Sequence, residues 1–106
     1  LRGGLLYETS FTIHSERKLD HPVLVLSRGW ALVNTINSLE PSPATQTSHN
    51  GDIALGLGPI DAGSTYTLYG EFQVNPTSFG RYSGDVTLYD GNTKLLSIPR
   101  TMTVFP

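Results

Sequence analysis

The three histidines, His14, His21 and His49, are the side chains best suited to bind a metal or move a proton near neutral pH. His14 falls near the end of a predicted strand. His21 follows the next turn, beside Asp20, and His49 lies in a distant polar stretch. Metal sites draw their ligands at short regular spacing or from one cluster. This set has neither, so surface histidines are expected. Serine hydrolysis needs a serine activated by a base and an oxyanion hole. The serines are many, but none sits in a Gly-x-Ser-x-Gly elbow. The nine acidic residues are dispersed over the predicted strands and loops and suggest no general acid–base pair. Gly56-Leu57-Gly58 imitates the start of a nucleotide fingerprint, but Pro59 follows it, and the third glycine and the helix are missing. Asp90-Gly91-Asn92 suits a hairpin turn better than a calcium loop. The chain has no cysteine, which excludes disulfides, thiolate metal sites and a cysteine nucleophile. The expectation is a protein that is not an enzyme and carries no metal or cofactor.

Aromatic residues offer a different chemistry. Tyr69 and Tyr89 fall on the faces of their strands opposite the core positions, and Trp30 sits in a predicted turn. Exposed aromatics stack on sugars, peptides or partner proteins. Trp30, Tyr69 and Tyr89 are therefore the candidate contacts for a partner or ligand. The plainer role for the same residues is that Trp30 caps one end of the core and the tyrosines cover a sheet edge. The segments 40–51 and 75–81, the longest without periodicity, are the loops on which a partner could otherwise dock.

The elements that must position these groups are strands. In residues 5–14, Leu5, Tyr7, Phe11 and Ile13 alternate with Glu8, Ser10, Thr12 and His14, the period of a half-buried strand. Val23–Leu26 reads as a short central strand after Pro22. Residues 33–39 read as a third with an imperfect alternation that suggests a bulge. Residues 44–51 read as a polar loop closed by Asn50-Gly51. Ile53, Leu55 and Leu57 mark another strand. Tyr66, Leu68, Phe72 and Val74 line one face of the longest strand, 65–74, and Asn75-Pro76 stops it. Residues 81–89 and 93–105 flank the Asp90-Gly91-Asn92 turn, with Leu96, Ile98, Met102 and Val104 on the core side of the last strand. Pro99 cannot donate to a ladder, so that strand is expected at a sheet edge. No segment shows a helical period. About seven short strands with regular turn signals predict an all-β fold, an immunoglobulin-like β-sandwich of mostly antiparallel strands, filling residues 1–106 as one domain.

Composition agrees. Hydrophobic residues make up 38 % of the 106 residues, enough for a core. Charged residues make up 15 %, against about 25 % in an average soluble protein. The net charge of −2 and the scattered basic residues leave no phosphate-binding face, so no nucleic-acid partner is expected. The longest apolar run, Val23-Leu24-Val25-Leu26, is far short of the roughly 20 residues that cross a bilayer. The opening Leu1-Arg2-Gly3-Gly4, without an initiator methionine, reads as a cut in a longer protein.

The stretch Ile60-Asp61-Ala62-Gly63-Ser64-Thr65-Tyr66-Thr67-Leu68 resembles a hairpin corner common in bacterial surface immunoglobulin-like domains. Together with Gly29-Trp30, Asn34-Thr35-Ile36, Glu40-Pro41-Ser42-Pro43, Asn75-Pro76-Thr77 and Thr103-Val104-Phe105-Pro106, the chain looks like the outer domain of uncharacterised bacterial proteins with one N-terminal membrane helix. The resemblance implies an extracytoplasmic sandwich tethered to the membrane upstream of residue 1. It implies no activity. The expected role is a structural or protein-interaction module whose partner is another protein; the alternative is a module that binds a glycan, or an extended peptide added to the free sheet edge that Pro99 marks.

Overall fold

The computed structural model describes residues 5–31, 34–75 and 80–104, with side chains described for 5–31, 34–75 and 84–98. Eight strands and one helical turn follow one another: β1 (Leu6–His14), β2 (Pro22–Leu26), α1 (Arg28–Ala31), β3 (Asn34–Glu40), β4 (Thr45–His49), β5 (Asp52–Gly56), β6 (Thr65–Val74), β7 (Gly80–Asp90) and β8 (Thr93–Val104). They make two antiparallel sheets, β1-β6-β3 and β4-β5-β2-β7-β8. The two sheets share one apolar core, so the fold is the β-sandwich that the strand pattern predicts.

Alternation in β6 does most to join the sheets. Leu68, Phe72 and Val74 are fully buried on its inner face, while Thr65 and Tyr69 are exposed on the other. Facing them, Leu24 and Leu26 of β2, Leu55 of β5, and Val86 and Leu88 of β7 fill the interior. The Phe72 ring folds over Gly70, where an added Cβ would lie 2.5 Å from two ring carbons. It meets the Trp30 ring edge-on, with centroids 4.8 Å apart at 87°. That T-shaped geometry favours an aromatic pair beyond simple burial. At the far end, Leu19 and Ile60 exchange two main-chain hydrogen bonds of 2.9 Å and close the core with buried side chains.

Three sequence expectations change. Ser27–Trp30 is not a simple turn, because residues 28–31 wind into α1. The Ser27 carbonyl accepts from the amides of Trp30 and Ala31, and the Asp52 carboxylate accepts from the Arg28 amide at 2.7 Å. An anionic acceptor there satisfies an otherwise unpaired donor at the start of the helix. The segment 44–51 is not a loop. Thr45–His49 forms β4, paired throughout with β5 across a turn in which Asn50 and Gly51 both have positive φ. All five β4 side chains are exposed, so no polar–apolar alternation marks it as a strand. Among the described residues the sandwich accordingly has eight strands, in keeping with the expected number of about seven. Finally, β8 lies at a sheet edge, as Pro99 requires, but Leu96 and Ile98 on its core side remain exposed.

Other readings hold in detail. The expected bulge falls in β3, where the register with β6 shifts between Ile36 and Ser38. The turn after Asp90 joins β7 to β8. It is anchored to the start of β2 by Gly91 N–H donating to the His21 carbonyl and by the His21 amide donating to the Asp90 carboxylate.

Gly84 of β7 is the seat of α1. A Cβ there would lie 2.5 Å from Ser27 Oγ and 2.8 Å from the Trp30 amide nitrogen. Gly84→Ala is expected to lift α1 from the sheet and cost about 1–3 kcal/mol, as overpacking does. Gly58→Ala, where a Cβ meets nothing within 4 Å, should change stability by less than about 0.5 kcal/mol. Urea unfolding monitored by Trp30 fluorescence checks both.

Candidate functional site

The three aromatic candidates do not converge. Trp30 is buried, at 8 % exposure, packed edge-on against Phe72, so it offers no face to a ligand. It fills the plainer role, sealing the core. Tyr89 is half-buried on the outer face of the five-stranded sheet, where it pairs with Val23 and Lys94. Tyr69 stands on the outer face of the other sheet and is 61 % exposed. The two tyrosines are therefore on opposite sides of the sandwich.

Tyr69 does sit in a site with some shape. It lies directly between Ser10 of β1 and Glu40 of β3. In the adjoining row, Glu71 lies between Glu8 and Ser38. These side chains line an open depression of about 450 Å³. Glu8 and Glu71 are direct cross-strand neighbours, and like charges so placed repel. Among the described residues no cation pairs with Glu8, Glu40 or Glu71, and the ion pair found, Lys18–Asp20, lies elsewhere. The depression can accept hydrogen bonds and stack against one flat group.

The histidines are also separate. His14 Nδ1 lies 3.1 Å from Thr65 Oγ1, His49 Nε2 lies 3.3 Å from Asn50 Nδ2, and His21 joins Asp90 through its main chain. Among the described residues no group of three His, Cys, Asp or Glu side chains is placed to hold a metal ion. The segment 40–51 is largely β4 and its turn. Of the segment 75–81, residues 76–79 lie outside the described residues.

A second surface was not foreseen. Five strands lie under three, so the inner face of β8 extends past the cover of β1. Leu96 is 52 % and Ile98 37 % exposed there. With Phe11, Ile13, Leu24 and Leu88 they line a groove of about 300 Å³ between β1 and β8. Sequence reasoning assigns Leu96 and Ile98 to the core because the local pattern is that of a core face. Only the pairing of distant strands shows that the opposite sheet is too narrow to cover them.

Among the described residues no strand pairs with β1 on the edge beside this groove. The Val74 amide donates to the Leu5 carbonyl at 2.9 Å. Continuing that register puts Tyr7, Thr9, Phe11 and Ile13 in bonded pairs with β6. In an antiparallel ladder the intervening residues, here Glu8, Ser10, Thr12 and His14, direct their main-chain N–H and C=O groups away from the partner. Their side chains share the outer face with Tyr69.

The inner end of β1 is fixed by a polar bridge. The Tyr7 hydroxyl donates to Asn34 Oδ1 at 2.6 Å, and Asn34 Nδ2 donates to the Trp30 carbonyl at 3.1 Å. Asn34 is itself buried. Burial pushes the Tyr7 phenol up to about 12 and raises that of Tyr66 as well.

No protein-family model matches the chain, and no curated protein matches it in sequence.

The Tyr7 bridge has a pH signature. An unfolded tyrosine gives up its proton near pH ~10, whereas folded Tyr7 holds it to about 12. Folding stability is thus intact below that unfolded value and falls as pH rises toward the folded one. Urea midpoints should stay level from pH 8 to about pH 10 and fall from there to pH ~11.5. Tyr7→Phe should flatten the fall without abolishing it, because Tyr66 contributes in the same direction. At neutral pH the same variant should lose about 1 kcal/mol with its hydrogen bond.

Proposed function

We infer that the chain is a non-catalytic protein-interaction module, carried outside the cytoplasm by a membrane-tethered bacterial protein. The observation that carries the interaction reading is the apolar inner face of β8, left uncovered beside an open strand edge. A contiguous apolar groove at the surface is a feature of binding sites more than of inert walls. The compartment and the tether rest on the resemblance to bacterial outer immunoglobulin-like domains. Among the described residues no helix is long and apolar enough to cross a membrane.

Two measurements on the intact parent protein test this reading. Membranes washed with carbonate should retain it, and protease added to intact cells or spheroplasts should cut it. A photo-crosslinking amino acid at position 96 should trap a protein partner in those cells. Recovery in the cytosol would overturn the compartment, and the absence of a crosslinked partner from positions 96 and 69 alike would overturn the interaction role.

A second reading is favoured by the exposure of Tyr69 among hydroxyl and carboxylate groups. Tyrosine faces stack on sugar rings while acidic side chains accept sugar hydroxyls. A glycan panel read by NMR should then shift the Tyr69 ring resonances, and Tyr69→Ala should erase the response. A flat response across the panel removes the carbohydrate reading and leaves the first intact.

A further inference from the structure

The β1 edge, the β8 groove and the acidic outer row lie side by side, and together they specify an occupant. We propose that an extended peptide segment of a partner protein adds to the free edge of β1, with alternate apolar residues directed into the β8 groove and a lysine or arginine set opposite Glu8. This rests on the interaction reading and names the surface and the chemistry of the partner.

Three observations support it. The first is the main chain: Glu8, Ser10, Thr12 and His14 present unpaired donors and acceptors at the edge, the template on which strand addition works. The second is the groove. A strand beside β1 has side chains that alternate between the two faces. Its inward residues, continuing the row of Phe11 and Ile13, lie over Leu96 and Ile98 and remove them from water. The other overhang of the same sheet behaves differently: β4 also projects past the three-stranded sheet, yet all its side chains are polar. Of the two overhangs, the one beside the β1 edge is therefore the one that exposes apolar side chains, Leu96 and Ile98.

The third is charge. Directly opposed strand residues point to the same face. A residue opposite Glu8 on the added strand therefore extends the outer row Glu8–Glu71. Those two carboxylates repel, and no described cation offsets them. A basic residue at that place relieves the repulsion, whereas an acidic one adds to it. The free edge thus selects a strand whose inward positions are apolar and whose outward position opposite Glu8 is cationic.

The probe is a blocked synthetic peptide the length of β1, nine residues, alternating valine with lysine. Its counterparts carry glutamate in place of lysine, or lysine with alternate backbone amides N-methylated. Titration into the isotope-labelled chain should shift the amides of Glu8–His14 and the resonances of Leu96 and Ile98. The glutamate and N-methylated peptides should bind about tenfold more weakly or worse. Glu8→Lys should reduce or invert the preference for lysine. Leu96→Glu and Ile98→Glu should each weaken the lysine peptide about tenfold. Both side chains are exposed, so these variants retain the fold, which the unchanged Trp30 emission will verify.

The proposal is overturned if the lysine peptide fails to bind at millimolar concentration. It is also overturned if binding ignores both groove variants, if the shifts fall on β3 or β4, or if the chain pairs with a second copy through β1 so that the peptide cannot compete. Should the peptide leave β1 untouched while the crosslink from position 96 or 69 still traps a protein, this edge is wrong as the docking mode and the interaction reading survives.

Discussion

Adjacent strands in a sheet lie about 4.8 Å apart, so five strands span about 19 Å between their outer axes and three span about 10 Å. One sheet of this protein has five strands and the other three. The wider sheet must therefore overhang, and the chain treats its two overhangs in opposite ways. At one side β4 is polar on both faces and needs no cover. At the other, β8 keeps Leu96 and Ile98 on an inner face that the narrower sheet covers only in part. The groove, the open β1 edge and the candidate docking surface all follow from this mismatch.

What holds the narrow sheet in register with the wide one is a small set of contacts around Phe72. The ring lies over Gly70, meets Trp30 edge-on, and is flanked by the Tyr7 ring at a centroid distance of 5.7 Å. Trp30 is presented by α1, which seats on the bare backbone of Gly84 and is tied to β5 through Asp52. The hydrogen-bonded chain from Tyr7 through Asn34 to the Trp30 carbonyl links β1 and β3 to the same helix. Burial of one aromatic residue thus couples both sheets and the helical turn. The β1 edge beyond Tyr7 is left with apolar side chains inside and an unpaired main chain outside.

Much of this was legible locally. The alternation in 5–14 and 65–74 reports a half-buried face in each strand, and the structure places Ile13, Leu68, Phe72 and Val74 on it. The bulge in β3 and the turns at Asn50-Gly51 and Gly91 follow from local sequence in the same way. β4 was illegible because a strand without a buried face has no period to read. The fate of Trp30 was ambiguous because a turn position says nothing about which way a side chain points; here α1 directs it inward. The groove was illegible for a different reason. Leu96 and Ile98 have the pattern of core residues, and their exposure depends on how many strands the opposite sheet contains, which is set by pairings between segments far apart in the chain.

Among the described residues β1 is an open edge with a defined polarity, bonded to β6 on one side and free on the other. Residue-resolved amide hydrogen exchange of the chain at neutral pH tests it most directly. Exchange is expected to alternate along β1: slow at Tyr7, Thr9, Phe11 and Ile13, whose amides face β6, and fast at Glu8, Ser10, Thr12 and His14, whose amides face away from it. Uniformly slow exchange along β1 would mean that the edge is already covered. Uniformly fast exchange would mean that β1 is not held by β6. Either result would rule out an open β1 edge held by β6.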